Sequence, residues 1–138
     1  MYSTFNVSIK HKDPIRHRQE FMRDLDPRLR WMLVNIAARA RRELGVETIT
    51  TCIGRTVEEN RAVGGIEQSA HLYRPGYYLR AVDLRTRHMS DDAIREYLNY
   101  FKPWQAIAGL LHVKYHNSGS GNHIHVNVNH SFALKKLV

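Results

Sequence analysis

The sequence predicts an α+β fold that combines a small, largely antiparallel sheet with two main helices. Three observations support this prediction: one long segment with apolar residues at helical spacing, several short runs rich in β-branched residues, and two alternating runs joined by a Ser-Gly connector. Because the chain has 138 residues and is 43% hydrophobic, it can bury one core, and we predict a single domain over residues 1–138.

The N-terminal part divides into a polar segment and a helix. Residues 1–26 are polar and of mixed charge, which predicts a peripheral arm with one short strand at Phe5–Ile9. The clearest helix follows at Pro27–Leu44, where apolar residues recur every three or four positions. Asp26 can cap the first turn of this helix, and Gly45 can end it.

Shorter elements follow in the middle of the chain. Val46–Ile53 is rich in β-branched residues and predicts a strand, within which we expect Cys52 to be a buried apolar side chain. Thr56 can cap a short helix over Val57–Val63. A second strand is predicted at Leu79–Leu84.

The last third of the chain predicts a helix and then a hairpin. Ser90 can cap a helix that runs from Asp91 to about Phe101. Leu110–His116 and His123–Asn129 both alternate apolar and polar residues, and turn-forming residues separate them, so together they predict an antiparallel hairpin.

Composition and charge limit the classes of partner. Lys and Arg number 21 against 13 Asp and Glu, a formal charge of +8, which predicts a polyanionic partner such as nucleic acid, a cell-wall polymer or a membrane surface. The single cysteine excludes an internal disulfide framework and a Cys-rich zinc finger. No apolar stretch approaches the ~18 residues of a membrane span, and no signal-peptide pattern is visible, so we expect synthesis in the cytoplasm.

The predicted strand His123–Asn129 carries the most informative pattern. Side chains at alternate positions of a strand share a face, so His123, His125 and Asn127 are expected to point the same way. Two neighbouring imidazoles suit a metal ligand beside a second ligand or a general base. The alternative is the exposed polar face of an edge strand.

Two further segments carry polar residues that need an explanation. Asp83 lies within an apolar strand, where a carboxylate requires a cation, a metal or several hydrogen bonds, and Arg85 or Arg87 are its alternative partners. Arg55 lies between a strand and a helix, where a guanidinium can clamp a carboxylate or a phosphate. The alternative for Arg55 is an ordinary surface position.

The order of the segments is more informative than any one of them. The chain has Arg-Thr after a strand, Ser-x-His, an Ala-x-Asp strand, a helix and finally His-x-His, at residues 55–56, 69–71, 81–83 and 123–125. From Trp31 to Asn129 it therefore resembles the zinc D-Ala-D-Ala carboxypeptidase and L-alanyl-D-glutamate endopeptidase family, which has the Hedgehog/DD-peptidase fold.

The resemblance implies a bound Zn²⁺ and a role for each matching residue. Its ligands would be His71, Asp83 and His125, which leave a fourth position open, as in catalytic rather than structural zinc sites. His123 would be the catalytic base or would stabilise the transition state. Arg55 would hold a substrate carboxylate or stabilise the oxyanion.

The resemblance also implies a substrate and its contacts. A peptide-stem amide bond of peptidoglycan would be hydrolysed, by a carboxypeptidase or an endopeptidase, and Ser69 would support a ligand or contact the substrate. The tyrosines and arginines of the segment after His71, which departs from the family pattern, suit contacts with sugar rings and carboxylates, so we expect Tyr73 to contact the substrate. A phage endolysin, released by lysis or carried in a virion, fits a wall peptidase without a signal peptide. We expect a monomer.

Two departures from the family pattern affect these expectations. The interval between His71 and Asp83 is longer than in the family, and the added segment, residues 72–80, is either a lid over the cleft or a stiff loop that covers the edge of the core. No acidic residue follows Glu96, although the family usually has a carboxylate base near the last zinc-binding histidine. His123 is therefore expected to replace it, ahead of His112 or His116.

Two other functions remain as alternatives. In a metal-dependent single-strand DNA nickase, a His-hydrophobe-His strand binds the metal and a tyrosine attacks the phosphate, and here Tyr73, Tyr77 or Tyr78 would have to serve. That function leaves Ser69, His71 and Asp83 unexplained, so nucleic acid is not the expected partner. The other alternative is a non-catalytic binding module that contains zinc.

Overall fold

The molecule is built on one five-stranded sheet. The computed structural model describes residues 9–107, 109–117 and 121–136. The strands are β1 (Ile9–His11), β2 (Thr48–Cys52), β3 (Ala81–Arg85), β4 (Leu111–Asn117) and β5 (Asn122–Val128). They lie in the order β1-β2-β3-β5-β4, with β1 parallel to β2 and every other pair antiparallel. The predicted α+β fold with a largely antiparallel sheet is confirmed.

Two long helices and several short ones complete the fold. The helices are α1 (Pro14–Gln19), α2 (Pro27–Leu44), α3 (Val57–Ala62), α4 (Asp91–Tyr100) and α5 (Lys102–Gln105), with a π-helical turn at Glu20–Asp24 and a 3-10 turn at His130–Phe132. In the part of the chain that the structure describes, none of these helices has the length and apolarity needed to cross a membrane.

The helix boundaries follow the local signals of the sequence. Asp26 caps α2 by accepting a hydrogen bond from the backbone N–H of Arg28, and Gly45 ends that helix in the left-handed conformation, with φ of 65°. Thr56 and Glu59 form a reciprocal capping box at the start of α3. The predicted hairpin is also present as β4 and β5, and residues 118–120 of its connector lie outside the described residues.

The prediction of a peripheral arm over residues 1–26 is wrong for the described part, residues 9–26. β1 pairs with β2 as an edge strand of the sheet, and the side chains of Ile9, Phe21 and Leu25 are buried in the core. Polar and charged neighbours surround these apolar residues in the sequence, so the segment has no amphipathic pattern from which its burial could be predicted. Residues 5–8 of the predicted first strand lie outside the described residues.

The two faces of the sheet have opposite character. Alternating apolar residues of β3 and β5 form one core with α2 and α4: Val82, Leu84, Ile124, Val126 and Val128. Each such side chain that leaves water contributes about 1.5–3 kcal/mol to folding. The opposite face carries histidines, Asp83 and Lys114, and it remains open as a cleft. The core thus forms a rigid back for a polar site.

A tight contact at Gly54 holds the segment after β2 against the N-terminal helix. A Cβ atom at this position would lie 2.7 Å from Glu20 Oε2 and 2.7 Å from Tyr73 Cζ. Glu20 is buried and accepts a hydrogen bond from the Tyr73 hydroxyl, so neither side chain moves freely.

We expect Gly54→Ala to lower the free energy of unfolding by about 1–3 kcal/mol, because overpacking forces buried neighbours to shift. Chemical denaturation measures the loss. In the double variant Gly54→Ala/Tyr73→Ala the missing ring makes room for the new methyl group, so the two costs should be less than additive. Additive costs would show that Tyr73 does not cause the strain.

Candidate metal centre

The strand pairing brings the predicted site residues onto one face of the sheet. β5 lies between β3 and β4, and its register places His125 opposite Asp83 on one side and opposite Lys114 on the other. His123 lies opposite His116 on β4. His123, His125 and Asn127 share the cleft side, as the alternation of the strand predicts, while Ile124 and Val126 face the core.

His71 reaches this face from the loop before β3, although 12 positions separate it from Asp83. The loop is fastened to the end of β2 by two backbone hydrogen bonds: Arg55 N–H donates to the His71 carbonyl at 2.8 Å, and Tyr73 N–H donates to the Arg55 carbonyl at 3.1 Å. The Ser69 hydroxyl accepts a hydrogen bond from the His71 N–H at 3.2 Å. These contacts close the turn and aim the imidazole into the cleft.

Three atoms that can bind a metal converge at the centre of the cleft. His71 Nε2 lies 3.1 Å from Asp83 Oδ1, His125 Nδ1 lies 2.9 Å from the same oxygen, and the two nitrogens are 3.3 Å apart. Ligands at 2.0–2.1 Å from a tetrahedral zinc lie about 3.3–3.4 Å from one another. The three donors are therefore spaced nearly as a zinc ion requires.

The hydrogen bonds of each imidazole determine which nitrogen faces the carboxylate. His71 Nδ1 donates to the Ile53 carbonyl at 2.9 Å, and His125 Nε2 donates to Asn127 Oδ1 at 2.8 Å. Both partners are acceptors, so these two nitrogens hold protons. The opposite nitrogen of each ring faces Asp83, which is also an acceptor, and a proton or a metal cation must lie between them.

The electrostatics of the site agree with this requirement. Burial lowers the pKa of His71, but the hydrogen bonds with Asp83 and Cys52 outweigh burial and raise that pKa to about 10. Burial likewise raises the pKa of Asp83, whereas the hydrogen bonds with His125 and His71 outweigh it and hold the pKa of that carboxyl far below its ordinary value. The two pKa shifts favour an ionised Asp83 carboxylate beside a protonated His71 imidazole. A metal ion that binds here therefore releases a proton.

Cys52 offers a second possible donor set. Its sulfur, a His71 nitrogen and an Asp83 oxygen all lie within 4.8 Å of one another. The shift in register between β2 and β3 places Cys52 opposite Asp83. However, Cys52 Sγ approaches Nδ1 of His71, at 3.6 Å, and this nitrogen already donates to Ile53. His71 and Asp83 are common to both sets, and the third donor is His125 or Cys52.

The second carboxylate oxygen of Asp83 faces the two residues that the sequence assigned to catalysis. His123 Nε2 lies 3.7 Å from Asp83 Oδ2, and Arg55 Nη2 lies 4.0 Å from the same atom. His123 Nδ1 donates to the Gly121 carbonyl at 3.2 Å, which leaves Nε2 able to accept a proton. Asn60 Oδ1, on α3, accepts a hydrogen bond from Arg55 at 3.3 Å and holds the guanidinium beside that helix.

The structure does not bring Tyr73 to this site. Its hydroxyl donates to Glu20, and its ring packs against the Gly54 segment, outside the described residues that line the cleft. Tyr77 and Tyr78 also lie elsewhere: Tyr77 pairs with Lys135, and Tyr78 N–H donates to the Leu134 carbonyl at 3.0 Å. Residues 76–78 of the segment contact the C-terminal residues 134–136, so the tyrosines of the segment do not form a lid over the cleft. Sequence spacing alone could not decide between these positions.

The cleft around the donor atoms has a volume of about 850 Å³ and a positive lining. Its described residues include three permanent cations, Arg55, Arg80 and Lys114, and one carboxylate, Asp83. Histidines extend the surface, and the His116 ring lies 4.6 Å from the His123 ring, centroid to centroid. No tyrosine occurs among these described lining residues, which removes the nucleophile that a DNA nickase would need.

The sequence places Asn127 on the face of His125 without a role, and it indicates Arg80 only as one of the arginines of the segment 72–80. The expectation that Cys52 is a buried apolar side chain is wrong, because Cys52 is half-buried. Asn127 orients His125, Cys52 contacts His71, and Arg80 lines the cleft. Asn127 had a readable signal, because it follows His125 by two positions on the same strand face. The contact of Cys52 depends on a shift in strand register, and the position of Arg80 depends on the path of its side chain. Neighbouring residues in the sequence predict neither.

We expect Asn127→Ala to weaken zinc binding by about 10- to 100-fold, because partners that orient a metal-bound histidine contribute that much to affinity. Competition with a fluorescent chelator measures the dissociation constant. Asn129→Ala is the matched control, since its side chain donates to Gly109 and not to a candidate ligand. Equal affinities in the two variants would show that Asn127 does not hold the ring.

Comparison with known proteins gives one match. A family model described as Peptidase M15 matches residues 11–127. No curated protein and no solved structure matches the chain. The match covers most of the sequence and includes every residue of the donor sets described above. The chain therefore belongs to the Peptidase M15 family, a family of metallopeptidases.

Proposed function

We propose that the protein is a zinc-dependent peptidase that hydrolyses a peptide-stem amide bond of peptidoglycan. The observation that carries this proposal is the convergence of His71 Nε2, His125 Nδ1 and Asp83 Oδ1, within 3.3 Å of one another, at the centre of an open cleft. The family match supports the same reaction class.

In this proposal His71, Asp83 and His125 hold the zinc ion. Two neutral imidazoles and one carboxylate are hard or intermediate ligands that zinc accepts, and three protein ligands leave room for a further one. A bound zinc supplies Lewis-acid polarisation of a carbonyl and acidification of a water molecule. The Ile53 carbonyl and Asn127 keep the two rings in the required tautomers.

His123 is the proposed general base and acid. Its Nε2 faces the donor set, while its Nδ1 proton is engaged by the Gly121 carbonyl. Nε2 accepts a proton from the attacking water as the new C–O bond forms, and it returns that proton to the amide nitrogen as the C–N bond breaks. This role replaces the carboxylate that the family usually provides, since the sequence has no acid after Glu96.

Arg55 is the proposed anchor for negative charge beside the reacting carbonyl. Its guanidinium lies next to Asp83 Oδ2, and its side chain is mostly buried. A preorganised cation at that position stabilises the oxyanion or binds a neighbouring substrate carboxylate. Ser69 acts indirectly, because its hydroxyl holds the turn that carries His71. The excess of positive charge in the cleft favours an acidic peptide substrate.

The test is to incubate the purified zinc-loaded chain with peptidoglycan and with an isolated stem pentapeptide, and to identify the products by mass spectrometry. We expect a new amine and a new carboxylate at one amide bond, loss of activity with a chelator, and recovery with zinc. Clearing of a turbid cell-wall suspension would add the lysin activity expected from the sequence. Zinc-loaded protein that cleaves neither substrate would contradict the proposal.

A further inference from the structure

Arg80 is a nearly buried arginine whose charge has no acidic partner in the part of the chain that the structure describes. The residue is only 8% exposed, and its Nη1 donates to the Val128 carbonyl at 2.8 Å. Among residues 9–107, 109–117 and 121–136, no aspartate or glutamate forms an ion pair with it. Burial and then the neighbouring Arg74 lower its pKa, so the surroundings disfavour the charge. Buried charges normally have a partner of opposite sign.

The guanidinium is linked to the candidate metal centre through hydrogen bonds. The Val128 carbonyl that accepts from Arg80 also accepts from Asn127 Nδ2 at 3.1 Å, and Asn127 Oδ1 accepts from His125 at 2.8 Å. Arg80 lies directly before β3 and precedes Asp83 by three residues, a separation of about 10 Å between Cα atoms. Arg80 thus lies within a short peptide's reach of the reacting bond.

Arg80 and Arg55 line different parts of the cleft. Arg55 lies beside Asp83 Oδ2, whereas Arg80 lies at the end of the cleft lined by Asn127 and Asn129. A guanidinium has five N–H donors in a planar fork, and the Val128 carbonyl is the one acceptor found for Arg80 among the described residues. The remaining donors can bind a carboxylate in the two-point geometry that arginine favours.

We propose that Arg80 binds a carboxylate of the substrate peptide and so determines which peptides the enzyme accepts. This inference rests on the proposed function, because it places that carboxylate within about three residues' length of the cleaved amide. A stem pentapeptide offers two such groups, its C-terminal carboxylate and the α-carboxylate of its D-glutamate. Both have the chemistry that Arg80 requires, and the experiment distinguishes them.

The experiment compares three forms of one pentapeptide, L-Ala-γ-D-Glu-L-Lys-D-Ala-D-Ala: unmodified, with its C-terminus as a carboxamide, and with its D-glutamate α-carboxylate as a carboxamide. Each is given to the wild-type chain, to Arg80→Gln and to Arg80→Lys. Arg87→Gln is the matched control, because Arg87 follows the same strand but is exposed and does not line the cleft. KM, kcat and the calorimetric dissociation constant are measured for each pair.

We expect Arg80→Gln to raise KM and the dissociation constant of the unmodified peptide by about 10- to 100-fold, the effect of one charge-assisted hydrogen-bonded pair. The carboxamide that replaces the bound carboxylate should weaken binding to the wild type by a similar factor. The same carboxamide should not weaken binding to Arg80→Gln any further, and this pattern identifies the bound carboxylate. Arg80→Lys keeps the charge without the fork and should lose less. If Arg80→Gln does not fold, as circular dichroism would show, this selective loss in Arg80→Lys provides the test.

Equal losses on all three peptides, or no loss on any of them, would overturn the assignment of Arg80. Calorimetry separates this result from failure of the proposed function. If no peptide is hydrolysed but binding remains selective and dependent on Arg80, only the peptidase proposal fails. If hydrolysis occurs and both carboxamides bind as tightly as the acid, only the Arg80 inference fails.

Discussion

His125→Ala is expected to remove the zinc ion and, with it, the peptidase activity. His125 Nδ1 lies 2.9 Å from Asp83 Oδ1 and 3.3 Å from His71 Nε2, so it completes the donor set at the open side of the cleft. The loss of affinity should exceed the about 10- to 100-fold that removal of an orienting partner costs. Zinc per chain after dialysis, measured by atomic spectroscopy, should fall from about one to near zero.

Two control variants make this result specific. Cys52→Ser tests the alternative donor set and should keep its zinc, because the sulfur approaches the wrong nitrogen of His71. His112→Ala removes an exposed imidazole whose ring lies 6.4 Å from that of His125, and it should also keep its zinc. If Cys52→Ser loses the metal and His125→Ala retains it, the cysteine is the third ligand.

His123→Ala is expected to keep the zinc ion but to lower kcat by about 10²- to 10⁴-fold, the contribution of a positioned general base. The imidazole lies 3.7 Å from Asp83 Oδ2, beyond hydrogen-bond distance and outside the donor set. Metal content and steady-state kinetics are measured on the same preparation. The pH dependence of kcat provides a further check. The part of the profile in which kcat rises as the general base loses its proton should disappear in this variant.

His123→Gln is the conservative control for size and polarity. Glutamine fills a similar volume but cannot carry the proton, so its kcat should fall nearly as far as that of the alanine variant. A zinc-free His123→Ala would show that His123 is a ligand, and its role would then be exchanged with that of His125. Full activity in both variants would remove His123 from the mechanism.

Helices α2 and α3 and their ends could be predicted because their signals are local. Asp26, Gly45 and Thr56 each act within a few residues, and the cap geometry of α2 and α3 follows from them. The N-terminal segment could not be placed in the same way. Its burial depends on the pairing of β1 with β2, which lies about forty residues later in the chain. Such a distant pairing produces no periodic pattern within residues 9–26.

The candidate site was predictable where its geometry follows from strand alternation and order along the chain. The shared face of His123 and His125 follows from the period of a strand, and the placing of His71 and Asp83 came from the resemblance to the peptidase family. The contacts of Cys52 depend on a shift in register, and those of Tyr73 depend on how a loop folds against Glu20. Such contacts arise only when distant segments pack together.

The wide separation of the donor residues has a consequence for folding. His71 and Asp83 are 12 positions apart, Asp83 and His125 are 42, and His71 and His125 are 54. The donor set therefore exists only after β3 and β5 have paired and the loop has docked, so the unfolded chain offers no comparable set. A ligand that binds only the native state adds about 2.7 kcal/mol to stability at a hundredfold excess over its dissociation constant. The midpoint of thermal unfolding should thus rise with free zinc, and it reports on the assembly of the whole sheet.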